Sequence, residues 1–258
     1  KRAIEIVKSQ CKLGLTATLV REDQKIDDLQ FLVGPKLYEA NWIDLTAQGY
    51  LAQVECHEVW CPMTPEFYTE YVRCDFDTNV KSGRLQRLLY ALNPRKFYTC
   101  EFLLAQHMRR GDKILLFSDD IPVLHHYCGN IMPSKIPFID GSMKPKERQV
   151  LLERFRNDPS FNILGLSRVG DIALDLPEAN VILQISSQFG SNRQEAQRLG
   201  RILRPKPSSC RGGNNVSTAT FYSLVSKNTR EMFFAGKRQQ YLVNQGYTYN
   251  VREDFSND

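Results

Sequence analysis

The chain has 258 residues, of which 42% are apolar, enough for one or two packed domains of an ordinary globular protein. Lys and Arg outnumber Asp and Glu by 34 to 29, a balance that favours a polyanionic partner only weakly. No apolar run approaches the roughly 20 residues of a membrane span, no signal-peptide pattern opens the sequence, and the seven cysteines are odd in number without a Cys-x-x-Cys pair, so a membrane-spanning or secreted disulfide scaffold is excluded and a reduced intracellular compartment is expected.

Residues 1–12 are charged and lead into a short strand ending at Thr16-Ala17-Thr18, after which Arg21, Glu22 and Asp23 form a charged turn. With no initiator methionine, the sequence is expected to begin inside a longer chain. Cys56, His57 and Cys61 fall on an apparent strand where Cys56 and His57 face opposite sides, so no metal site is expected. From 64 to 107 the pattern is largely helical, broken by a loop around 75–83. It interleaves Phe67, Tyr68, Tyr71, Tyr90, Phe97 and Tyr98 with Arg84, Arg87 and Arg95. That mixture suits stacking and phosphate contact, or else an αα-hairpin whose aromatics are core.

From residue 110 onward short apolar runs alternate with amphipathic stretches, the pattern of β-α-β units and a mostly parallel, doubly wound α/β sheet flanked by helices. Strands are predicted at 113–117, 136–139, 161–166, 180–186 and 219–225, and helices at 121–130, 145–157, 193–203 and 229–244. Pro145 suits the first turn of its helix. Ligands of such sheets bind beyond the carboxyl ends of the strands, here after Phe117, Ile139, Leu166 and Ser186.

Two of those loops carry polar residues suited to phosphate. Gly141 and Ser142 precede a helix N-terminus bearing Lys144, Lys146 and Arg148, where backbone N–H groups and the helix dipole favour an anion. Leu151, Leu152 and Phe155 form the core face of that helix. After Leu166, Ser167 and the flexible Gly170 suit close approach to a backbone phosphate, and Asp175 suits ribose hydroxyls. The plainer alternative is a βα turn with Asp175 capping a short element before Pro177.

The densest constellation is Gln197, Arg198, Gly200, Arg201 and Arg204. Residues three and four apart share a helix face, so Gln197, Arg201 and Arg204 can converge on one polyanion, gripped by arginine forks; a solvated basic helix is the alternative. The pattern Gln-Arg-x-Gly-Arg-x-x-Arg resembles the last conserved motif of superfamily 2 helicases. Together with Leu13-Gly-Leu-Thr-Ala-Thr-Leu-Val-Arg-Glu-Asp23, Gly34-Pro-Lys-Leu-Tyr-Glu-Ala-Asn-Trp42, Asp175-Leu-Pro-Glu-Ala-Asn180, Lys237-Arg-Gln239 and Gln245-Gly-Tyr247, it resembles the XPB family, the duplex-DNA translocase and helicase subunit of transcription factor IIH.

The resemblance covers nearly the whole chain and implies a RecA-like fold. It divides the sequence into a remnant of a first helicase domain with linker at 1–60, a helical thumb-like insertion at 61–110 and a second RecA-like domain at 111–258. It implies ATP as cofactor, with Arg201 and Arg204 as arginine fingers supported by Gln197 and Arg198, and Asp175 and Gly170 at the nucleotide. Thr16 and Thr18 would link hydrolysis to strand separation, Arg21, Glu22 and Asp23 would act in unwinding, and Gly141, Ser142 and Ser167 would touch duplex DNA. Other factor IIH subunits, a repair nuclease and a nuclear setting are further implications, with roles in promoter opening and nucleotide-excision repair.

No Gly-x-x-x-x-Gly-Lys-Ser/Thr loop and no acidic strand end for Mg²⁺ occur, so this is expected to be the second half of a motor, inactive alone, with the Mg²⁺ ligands in the other half. Phe189 and Asn192 stand where the family has a glycine and a basic residue. A docking module for other subunits or a nuclease, and a degenerate paralogue without motor activity, are the alternatives.

Overall fold

Unbroken apolar runs such as Ile114-Leu-Leu-Phe117 are what strands buried on both faces require. The computed structural model, which describes residues 9–15, 31, 33–38, 42–48, 52–76, 80–167, 179–186, 218–244 and 246–253, builds its sheet from them. In chain order the described elements are α1 (Trp42–Ala47), β1 (Gln53–Cys61), α2 (Pro65–Phe76), α3 (Val80–Ala91), α4 (Pro94–Arg110), β2 (Ile114–Ser118), α5 (Ile121–Asn130), β3 (Phe138–Ile139), α6 (Pro145–Asn157), β4 (Ile163–Leu166), β5 (Val181–Ser186), β6 (Thr218–Ser226), α7 (Arg230–Asn244) and β7 (Thr248–Glu253).

The seven described strands form one sheet in the order β3-β4-β2-β5-β6-β1-β7, with every neighbouring pair parallel. Parallel strands need crossover connections, and these place helices on both faces. On one face Val59, Leu116 and Leu183 meet Tyr71, Tyr90, Leu103 and Tyr127 from α2 to α5. On the other, Leu115, Phe117 and Phe221 meet Phe155 of α6 and Leu242 of α7. The doubly wound architecture expected from periodicity is therefore the one that forms.

Local chemistry sets the helix ends. Asn93 caps α4 by accepting the Arg95 N–H at 3.0 Å, with Pro94 in the first turn. Gly111 closes the helix at φ 75°, a left-handed conformation that favours glycine, donating its N–H to Met108 O at 2.9 Å.

The boundary drawn at residue 60 cuts through β1, which pairs with β6 from Gln53 opposite Thr218 to Cys61 opposite Ser226 and with β7 on its other side, so 53–61 belong to this sheet. The helices of 61–110 pack on the same sheet: Tyr71 and Tyr90 are core, and Phe97 lies 5.1 Å from the Tyr127 ring, whereas Tyr68 and Tyr98 are exposed. Residues 80–83 begin α3 rather than a loop, and β7 was not foreseen. Along β1, Cys56 and Cys61 enter different cores while His57 stacks on Tyr222, as alternation requires.

Gly165 in β4 leaves room for its neighbours. A Cβ there would lie 2.6 Å from Cys128 Sγ and 2.7 Å from Phe138 Cβ. Gly165→Ala should destabilise the fold by about 1–3 kcal/mol through overpacking. Chemical denaturation tests this, and an unchanged midpoint would refute it.

Candidate functional site

The connection after β2 runs toward β3 and that after β5 toward β6, opposite edges of the sheet, so the crevice at the carboxyl ends of β2 and β5 is the topological switch point. The two strand ends are tied there. Ser118 Oγ and Ser186 Oγ are 2.8 Å apart, and the Asp119 N–H donates to Ser186 O at 3.4 Å. The β2–β5 register shifts between Phe117 and Ser118, which brings the serines opposite each other. Phe117 itself is wholly buried core. Asp120 caps α5 by accepting the Val123 N–H.

Further along the same edge, Asp140 follows β3. Its Oδ1 accepts the Ser142 hydroxyl at 2.6 Å and the Ser142 N–H at 2.9 Å, and Oδ2 lies 3.3 Å from His125 Nε2. The Ser142 hydroxyl, helped by His125, holds the Asp140 carboxyl below its ordinary 3.8. A depressed carboxylate contributes stability above its unfolded pKa and loses it as pH falls through the folded value. Asp140→Asn should therefore lower stability at neutral pH and flatten the acid limb of a stability-versus-pH curve, so that the gap to wild type closes as pH falls below about 4. An acid limb as steep as the wild type's would contradict this.

The turn presents Gly141 and Ser142 to solvent, and α6 begins without a side-chain cap, with Lys144 and Lys146 exposed beside its free first-turn N–H groups. Arg148 is not the solvated residue it could have been: it is half-buried and its Nη2 donates to Met143 O at 3.4 Å. Phe155 is buried, with Leu151 and Leu152 packed against the core, as the helical spacing implied.

Ser167 lies beyond β4, its N–H donating to Ile139 O at 3.0 Å. The residue is 2% exposed, and among the described residues its hydroxyl finds no hydrogen-bond partner. An orphaned hydroxyl at this edge, next to an uncapped helix start, fits an anionic ligand. Ser142 and Ser167 thus end adjacent strands, one exposed and the other buried. Among the described residues no group of three His, Cys, Asp or Glu is placed to hold a metal ion. The remaining predicted site residues, Thr16, Thr18, Arg21, Glu22, Asp23, Gly170, Asp175, Gln197, Arg198, Arg201 and Arg204, lie outside the described residues, as do Phe189 and Asn192.

One polar cluster at this edge was missed. Lys96 Nζ, fully buried, donates to Glu231 Oε2 at 2.6 Å and to Ile185 O at 3.2 Å, and the same carboxylate oxygen accepts the Ser226 N–H at 2.7 Å. Asn93 Nδ2 donates to Cys61 O, Pro62 O and Ser226 Oγ, Ser226 Oγ donates to Tyr90 O, and Tyr71 Oη accepts the Arg230 N–H. Burial pushes the Glu231 carboxyl up, and the Lys96 ammonium pulls it back without cancelling that rise. A usable signal existed: Lys96 sits on the apolar stripe of α4 with Cys100, Leu103 and His107.

The sheet resembles that of the Sulfolobus solfataricus SWI2/SNF2 ATPase core domain, with TM-score 0.55 and 18% identity over 86% of this chain and 49% of that one, so the fold is RecA-like. In sequence, the chain is 52% identical over 251 residues to the general transcription and DNA repair factor IIH helicase/translocase subunit XPB of Dictyostelium discoideum, covering 97% of this chain and 30% of that protein. It is equally 52% identical over 251 residues to the corresponding XPB/SSL2 subunit of Saccharomyces cerevisiae, covering 97% of this chain and 28% of that protein. The chain therefore spans less than a third of the length of these curated relatives. The family model described as ERCC3/RAD25/XPB C-terminal helicase matches residues 45–257, and the chain belongs to that family.

Proposed function

We propose that this chain is the second RecA-like half of an XPB-type, ATP-dependent duplex-DNA translocase and helicase. It would work in the nucleus among other factor IIH subunits, in promoter opening and nucleotide-excision repair. The observation that carries the reading is the polar carboxyl edge. An exposed Gly141-Ser142 turn and an uncapped α6 start with Lys144 and Lys146 stand on the same edge as the switch-point serines.

ATP with Mg²⁺, held by a phosphate-binding loop on the first motor domain, supplies the phosphoryl group whose transfer drives the motor. On this chain, Arg201 and Arg204 act as arginine fingers that stabilise charge on the transferring group, with Gln197 and Arg198 holding the same segment and Asp175 and Gly170 facing the ribose side. Gly141, Ser142 and Ser167 grip the DNA backbone, the last once its buried hydroxyl is uncovered. Thr16, Thr18, Arg21, Glu22 and Asp23 couple hydrolysis to unwinding. The chain by itself does not hydrolyse ATP.

Duplex-DNA binding by the full-length protein across a salt series tests the reading. Lys144→Ala with Lys146→Ala should flatten the slope of log affinity against log salt by roughly 0.9 for each phosphate no longer neutralised. An unchanged slope would remove the α6 start from the DNA path. A second reading, a docking module for other subunits or a nuclease, draws on Tyr98 and Phe102, exposed one turn apart on α4. Loss of partner capture on changing both to Ser, with ATPase intact, would favour it; Tyr71 cannot serve in that test because its ring is core.

A further inference from the structure

We infer that the outward face of α7 binds an unpaired nucleic-acid strand, with Phe233 as a platform for one base; that the strand is DNA rests on the motor reading above. At 3.6 residues per turn, Arg230, Phe233, Gly236, Lys237, Gln240 and Asn244 fall within about 120° of one another around the helix. All six are exposed. Among the described residues of α7 no carboxylate lies on this face, because the helix's one acid, Glu231, is buried against Lys96. The solvent side of α6, by contrast, mixes Lys146 and Arg154 with Glu147 and Glu153, as an ordinary solvated helix does.

Phe233 is 61% exposed, with the Lys237 ammonium over its ring at 4.5 Å from the centroid and Phe234 edge-on to it at 5.3 Å. A single exposed apolar side chain is ordinary on a protein surface, so the ring alone would assign nothing. Gly236, one turn on, is the second observation. Glycine inside a helix destabilises it relative to alanine, and close packing is the usual reason for one to stand there. Here a Cβ would meet nothing within 4 Å. Packing within the chain therefore does not require this glycine, whereas a flat group seated beside Phe233, Lys237 and Gln240 uses the space it leaves.

Each part of the face has a role towards such a strand. A base of any identity stacks on an aromatic ring, and the Arg230 and Lys237 cations neutralise the flanking phosphates. The Gln240 and Asn244 amides donate to phosphate or sugar oxygens. The location agrees: Lys96 joins Glu231, in the first turn of α7, to the Ile185 carbonyl, so the helix starts beside the carboxyl end of β5 at the switch point. A protein partner fits less well, since one aromatic ring among cations and amides offers little apolar area to bury.

Fluorescence anisotropy of the full-length protein on oligothymidine and on a blunt duplex tests this. Phe233→Leu stays apolar but loses the π face, and should weaken oligothymidine binding roughly 5- to 100-fold, the range for one stacked base; Phe233→Tyr should keep it. Lys237→Ala should flatten the log–log salt dependence of single-strand binding by about 0.7. Gly236→Leu separates binding from stability. It should leave the melting temperature unchanged or raised, since leucine is the better helix former, yet weaken oligothymidine binding by filling the gap. Duplex affinity should stay within a few-fold of wild type throughout. Oligothymidine affinity unchanged in Phe233→Leu and Gly236→Leu, or absent in the wild type, would overturn the inference. Loss of protein-subunit capture in those variants with oligothymidine binding intact would overturn it in favour of a protein-docking face. Failure of the motor reading shows elsewhere, as a wild type without duplex-stimulated ATP hydrolysis, while single-strand binding still decides what α7 does.

Discussion

On the proposed motor reading, Arg201→Ala or Arg204→Ala should lower DNA-stimulated ATP hydrolysis by the full-length protein roughly 10³- to 10⁵-fold, the range expected for loss of an arginine finger. The effect should fall on kcat more than on KM, because the guanidinium of an arginine finger would meet charge that builds up only as the phosphoryl group transfers. Arg201→Lys should recover little, because an ammonium is a point charge and does not offer the planar fork that engages two phosphate oxygens. Were the segment only a solvated basic helix, each substitution would change hydrolysis a few-fold at most and would act through salt-sensitive DNA affinity. Steady-state kinetics at two salt concentrations separate the outcomes. A wild-type protein inactive on every duplex tried would instead favour the degenerate or docking alternatives.

Lys96→Met destabilises the fold by about 3–5 kcal/mol, the cost of leaving a buried carboxylate without its partner. Lys96 is fully buried and Glu231 is nearly so, and the distance between them is 2.6 Å, so solvent screens little of the loss. Its pH dependence identifies the mechanism. Burial already holds the Glu231 carboxyl above its ordinary 4.5, and removing the ammonium lets it rise further. A carboxyl whose folded pKa exceeds its unfolded value binds its proton more tightly when folded, so the variant is most stable below the unfolded pKa and loses stability as pH rises through the folded one. Urea denaturation at several pH values should show the gap between variant and wild type narrowing toward acid. A gap independent of pH would mean the loss comes from packing alone.

Several features were legible from residues alone because they depend on neighbours close in the chain. The helices at 121–130 and 145–157 span the residues that their periodicity places in them, with Pro145 in the first turn of the second. Phe155 and Phe117 are core, as an amphipathic spacing and an unbroken apolar run imply. The aromatics of α2 to α4 could have been either core or platform from spacing alone, and packing divided them: Tyr71 and Tyr90 inward, Tyr98 outward. Ser142 and Ser167 were named for the chemistry of their loops, but only the fold made one exposed and buried the other.

What the sequence by itself determined is therefore the α/β class with its parallel sheet and the segments that mark the family, since periodicity, turn chemistry and contiguous motifs are local properties. Tertiary structure alone decided that β1 and β7 join the sheet beyond β6, and that Lys96 meets Glu231 across 135 residues. Strand order and buried ion pairs are set by which distant surfaces exclude water together. Neither the spacing of residues nor their individual preferences encodes that.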